Sequence, residues 1–239
     1  MKQTFTMIMI LATYLSVAQD KTELPILFPE PLEIELALSS LPKHLRSEAS
    51  VYVYKRGDGH VLKKQGTNGF TALVERVPGF PTAFAPVSYD AEGTRTHIPR
   101  IIDQGKWIEE GKSAKEIRET VAMKFARNEY SIPRAMGISY MLSPTNILPS
   151  PLGKPALYYP HYMIYAPYAK PEELGLPKFG WHSAAPTLLD QGPHAVMVIR
   201  LGTEESAQIR EDEKELVAKM EKFLDRKLSS FEVAITHSH

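Results

Sequence analysis

Apolar residues recur along this chain at two spacings, and the spacing changes from segment to segment. Residues 32–41 carry Ile34, Leu38 and Leu41 at intervals of four and three, which predicts a short helix ended by Pro42. The period then shortens to two. Val51-Tyr52-Val53-Tyr54 is rich in strand formers, Gly57-Asp58-Gly59 can turn, and residues 60–64 can return as a second strand. Asn68-Gly69 predicts a type I′ hairpin turn, because both central positions need positive φ, with residues 70–74 as the next strand. Residues 78–86 read as a proline-punctuated loop and Asp90-Ala91-Glu92-Gly93 as a further turn.

Two helices are expected next. One lies within residues 98–110. The other starts at Ser113-Ala114-Lys115-Glu116, a capping box, and carries Ile117, Val121 and Phe125 as its apolar stripe. Strand candidates follow at 136–142, 158–166 and 194–201. Residues 206–228 return to helical spacing, with Ile209, Leu216, Met220, Phe223 and Leu224 on one side of a charged helix. Residues 231–235 read as a last short strand. Strands cluster instead of alternating with helices. The expected fold class is therefore α+β, a mainly antiparallel sheet with helices packed to one side, in a single domain over residues 32–235.

The two ends fall outside this pattern. Lys2 precedes a mostly apolar run over residues 4–17, and Ser16-Val17-Ala18 places small residues where a signal peptidase reads them. Residues 1–18 read as a secretory signal peptide cleaved before Gln19, too short for a comfortable transmembrane helix. Residues 19–31, with Pro25, Pro29 and Pro31, read as a linker, and residues 236–239 as a disordered tail. The expectation is an exported bacterial protein, periplasmic or secreted, with no integral membrane segment after signal cleavage.

Composition then removes several kinds of chemistry. Basic and acidic residues balance at 28 each, so nothing draws a polyanion and nucleic acid is not an expected partner. The chain has no cysteine. That excludes disulfides, a thiol nucleophile, a Cys-ligated metal and an acylated N-terminal cysteine.

The candidate chemistry lies in the C-terminal half. Five of the 11 tyrosines fall within residues 158–168, which makes this the densest aromatic stretch. Extended, the segment turns Tyr158, Tyr162, Ile164 and Tyr168 one way and Tyr159, His161, Met163 and Tyr165 the other. One reading is a ligand platform for a small molecule, since tyrosine offers stacking area and a hydroxyl. Its surface would involve Tyr159, His161 and Tyr165 with the loops around Ser143 and His182, and needs no cofactor. The plainer reading is a central strand packed on both faces.

An alternative is a zinc-type, metal-dependent hydrolase. His161, His182 and His194 would be ligands, with Asp190 or Glu172 as ligand or base, and the metal would make hydroxide available near neutral pH. The spacings are long, so no single helix or strand presents two ligands. Ser40-Leu41-Pro42-Lys43 matches Ser-x-x-Lys, but Pro42 breaks the helical turn that pair needs, and Lys-Thr-Gly is absent.

Four segments can be taken as a set: Gly66-Thr67-Asn68-Gly69-Phe70-Thr71-Ala72-Leu73-Val74-Glu75-Arg76, Gly137-Ile138-Ser139-Tyr140-Met141-Leu142-Ser143-Pro144, His161-Tyr162-Met163-Ile164-Tyr165-Ala166-Pro167-Tyr168 and Gly192-Pro193-His194. Together they resemble an uncharacterised family of exported bacterial proteins, over about residues 33–201. The resemblance implies export and brings no activity with it. In the family pattern a cysteine often stands where Ala72 stands here, so it implies no thiol-based role for this chain.

Overall fold

A computed structural model describes residues 23–150, 153–176 and 185–233. The expected signal peptide, the chain's tail and His182 lie outside the described residues. Helix α1 (Glu30–Ser39) starts slightly earlier than the apolar pattern indicated. Pro31 sits in its first turn, where a missing N–H breaks no helical bond, and Glu30 and Glu33 favour the positive end of the helix dipole. The segment before it is pinned to the sheet: Ile26 N–H donates to Pro81 O (2.8 Å), and Phe28 is buried.

Strands β1 (Ser50–Lys55) and β2 (Gly59–Lys64) form the expected hairpin. The next strand, β3 (Thr71–Val77), does not pair with β2. It runs parallel to β1 on that strand's other edge. Asn68-Gly69 therefore closes no hairpin. Asn68 Oδ1 accepts from Phe70 N–H (3.0 Å) while its amide donates to Leu45 O (2.8 Å), which ties the chain back alongside β1. The true hairpin turn is Pro78-Gly79, with Gly79 at φ +81°, the order of residues a type II turn demands. Residues 80–89, read partly as a loop, are strand β4 (Phe80–Tyr89).

β4 is a branch point. One edge takes β3. The other takes β6 (Ile147–Pro149) at Phe84 and β5 (Ile138–Met141) at Ser88 and Tyr89. Pro86 falls in the gap between these two partners, where that edge is open. Outward from β6 come β7 (Pro155–Leu157) and β11 (Glu232–Val233). Outward from β5 come β8 (His161–Tyr165), β10 (Val196–Arg200) and β9 (Thr187–Leu189). All pairs are antiparallel except β1–β3 and β7–β11. The α+β class and the mainly antiparallel sheet are as expected.

The expectation of helices on one side needs correction, because helices cover both faces. Ala72 and Val74 of β3 pack with Leu36 and Ala37 of α1 and with Met220 of α5 (Lys214–Leu224). Leu73, between them, packs with Ile98 and Ile101 of α2 (Ala91–Glu109) on the opposite face. Alternate side chains of a strand point to opposite faces, so the sheet has a core on each side.

Helix α2 begins seven residues before the expected start. Asp90 Oδ1 accepts from Gly93 N–H (2.9 Å) and caps the helix that its turn-like sequence concealed. Helix α3 (Ala114–Ala126) has the expected capping box, with both Ser113 and Glu116 bonds present. The final charged helix is two, α4 (Thr203–Asp212) and α5, broken at Glu213. Among the described residues no helix is long and apolar enough to cross a membrane.

Candidate functional site

The tyrosine-rich segment forms β8, which lies between β5 and β10. Its two faces have different fates. His161, Met163 and Tyr165 are buried, while Tyr162 and Ile164 are half-buried. Tyr165, 6% exposed, donates its hydroxyl to Asp90 Oδ1 at 3.0 Å, with Ile138 O at 3.1 Å. Gly93 and Gly137 leave the room its ring needs: a Cβ at Gly137 would lie 2.5 Å from Tyr165 Cε2. His161 Nδ1 lies 2.8 Å from Tyr159 O, and burial lowers the ring's pKa. The face expected to hold a ligand through His161 and Tyr165 is thus packed and internally bonded. Ser143 is buried elsewhere, bonded to Ser39 and Thr145 at 2.8 Å each.

Of the histidines expected to bind metal, His161 and His194 lie toward opposite ends of the β8–β10 pair, and His182 is outside the described residues. Among the described residues no three His, Asp or Glu side chains gather where they could hold an ion. Asp190 has φ +64° and turns its Oδ1 to the N–H groups of Gln191 (2.7 Å) and Gly192 (3.1 Å), the geometry of an Asx turn. Glu172 is exposed in the turn 170–176.

His194 meets a residue that the sequence reading did not single out. Its ring stacks on His97 of α2 with centroids 4.1 Å apart and planes 22° apart. His97 also stacks on Tyr165 (4.8 Å) and Tyr89 (5.3 Å), and the edge of Phe125 from α3 meets His194 at 4.7 Å. The legible signal was periodicity: His97 shares a helical stripe with Ile101, Gly105 and Ile108. His194, 97 residues away, could not be paired with it by spacing.

The stack's hydrogen bonds fix its chemistry. His194 Nε2 faces Ser131 O at 2.9 Å, so it carries the proton and leaves Nδ1 a bare lone pair. Thr96 gives its hydroxyl proton to Glu92 O (2.8 Å), so His97 Nδ1 donates to Thr96 Oγ1 (2.9 Å) and Nε2 is left bare. Both bare nitrogens are buried without a partner. Burial pushes His97 far below neutrality and His194 down to about 4. Neither ring is a useful general base near pH 7. Nor can they share a metal: a lone pair lies in its ring plane, and planes this nearly parallel do not meet ~2.1 Å from both nitrogens.

What remains is the other face of β8. The register places Ile138 of β5, Ile164 of β8 and Met197 of β10 in one row, and Tyr140, Tyr162 and Ile199 in the next. All six are half-buried. Tyr140 touches the α1 core at its margin; the other five belong to neither core. No family, curated protein or solved structure matches this chain. The reading of its function therefore rests on its own residues.

Proposed function

We propose that the protein is a non-enzymatic binder of a small, ring-containing molecule, and that the face formed by β5, β8 and β10 is its ligand surface. The observation that carries this reading is the pair of three-residue rows, apolar but for two neighbouring tyrosines. With strands about 4.8 Å apart and alternate residues about 7 Å apart, the rows cover roughly 14 by 14 Å. That is far below the ~800 Å² per partner of a stable protein interface, and near the size of one or two rings. Tyr140 and Tyr162 supply stacking area, and their hydroxyls suit a ligand with polar substituents. This moves the binding surface from Tyr159, His161 and Tyr165 to the opposite side of the same strand.

4-Nitrophenyl glucoside, an aromatic ring joined to a hydroxyl-bearing sugar ring, serves as the probe. Its titration is expected to shift the methyl resonances of Ile138, Ile164, Met197 and Ile199 together, and Tyr162→Ala to weaken that binding about 2- to 10-fold. Unmoved methyls, or shifts scattered over the surface, would refute the reading.

Export is part of the same proposal, supported by the basic start, apolar run and small residues at the N-terminus. The expected outcome is that N-terminal sequencing of the protein recovered from a bacterial periplasm or medium begins at Gln19. An intact Met1 in that fraction would count against it.

A further inference from the structure

The stacked histidines stand at a junction. Through them α2, the segment before β10, α3 and the sheet all meet. Phe125 of α3 rests on His194, His194 on His97, and His97 on Tyr89 of β4 and Tyr165 of β8. Ile117 is the one buried residue of α3, and besides the stack its end is held by Lys124, which pairs with Asp103 of α2. The loop after α3 is tied to the same ring by the Ser131 bond. We propose that the His97–His194 stack is an acid-released latch, which holds the segment 190–195 and the end of α3 to the sheet while both rings are neutral and lets them go when His194 takes a proton.

The surrounding groups set the order of events. His97 is 2% exposed, flanked by Tyr89, by Tyr165 (whose hydroxyl is already given to Asp90) and by His194. Burial, a charge on His194 and Arg100 on the same helix all oppose a proton on its Nε2, and only the backbone of His194 favours one. His194 is less buried. It faces Phe125, which is uncharged, Ser131 O, and Arg100, which again opposes protonation. Asp190, at the start of its own loop, is the one charge that favours it. A proton arriving at His194 Nδ1 has no acceptor inside the stack. Outside it, the Asp190 carboxylate is exposed and four residues away in sequence. The charged ring therefore leaves His97 for Asp190, and the contacts to Phe125 and Ser131 go with it.

Hydrogen exchange of the full chain from pH 7.5 to 4.5, corrected for intrinsic rates, tests the latch. Amides of residues 127–137 and 190–195 are expected to lose protection by up to about tenfold per pH unit, as one proton per opening requires, while β3 and β4 keep theirs. His194→Phe preserves a stacking ring that cannot titrate, and is expected to abolish the loss. Asp190→Asn keeps an acceptor for both backbone bonds and tolerates positive φ, yet removes the charge. It is expected to move the opening to lower pH. The proposal is overturned if His194→Phe opens at the wild-type pH, if Asp190→Asn leaves the transition in place, or if both segments lose protection only together with β3 and β4.

Discussion

Arg76 and Glu33 are both fully buried, and each is stable there because of the other. Arg76 Nη2 meets Glu33 Oε2 at 2.7 Å, Nη1 donates to Val74 O (2.8 Å), and Nε donates to Ile26 O (3.2 Å). The guanidinium lies 5.0 Å from the ring centres of both Phe28 and Tyr54. One side chain thereby fastens α1, β3 and the segment before the helix. Glu33→Gln would leave the cation buried without its counter-charge. The expected loss is about 3–5 kcal/mol in urea unfolding, a large part of a domain's stability; a loss below ~1 kcal/mol would contradict this role. The pair also explains why α1 was legible as a helix but not in its orientation. Its buried side is Glu33, Leu36 and Ala37, whereas Ile34 and Leu38 are only half-buried. A charged residue can face a core only when an opposite charge waits there, and Arg76, 43 residues away, gives no local sign of itself.

At the scale of elements, the features that hold locally were the ones the sequence displayed. The capping box at Ser113 and Glu116 needs only residues three apart, and it stands as read. The hairpin of β1 and β2 is likewise local. What escaped were elements whose punctuation has a tertiary reason. Pro86 argues against a strand, yet β4 contains it because its partners on one edge leave a gap. Pro99 lies inside α2 and made residue 98 look like a helix start, although Asp90 had already begun the helix. Asn68-Gly69 suggested a hairpin, but the bonds of Asn68 to Phe70 and Leu45 serve a parallel crossover. The candidate site followed the same logic. The aromatic strand was visible, but which of its faces is packed depended on α2, the helix that stacks His97 on Tyr165.

At the scale of the molecule, three buried histidines and the half-buried His194 among the described residues give the fold a common response to acid. Burial lowers His60 and His194 to about 4, His97 further, and His161 as well. The unfolded chain protonates its histidines near pH 6.5, which the fold resists. Above that pH both states hold neutral rings and stability is at its full value. Below it the unfolded state binds more protons, so stability falls from pH 6.5 toward 4, by up to about 1.4 kcal/mol per pH unit for each ring that stays neutral. Urea midpoints are expected to drop steeply between pH 6.5 and 4.5 and to be level from 6.5 to 8. A flat profile through pH 5 would show that these rings find protons within the fold.

The branching of β4 has a consequence for how this molecule meets its own kind. An unbranched sheet has two borders, but this one has three among the described residues, at β2, β9 and β11. Each border is a row of open peptide groups on which another chain could pair. Two of them are only three and two residues long among the described residues, too short to template a partner. The third, β2, ends in Lys63 and Lys64, held by Glu30 and by Ser47 O. A chain pairing on that border would have to accommodate both lysines or pull them from Glu30 and Ser47 O, so the one long border is a poor template.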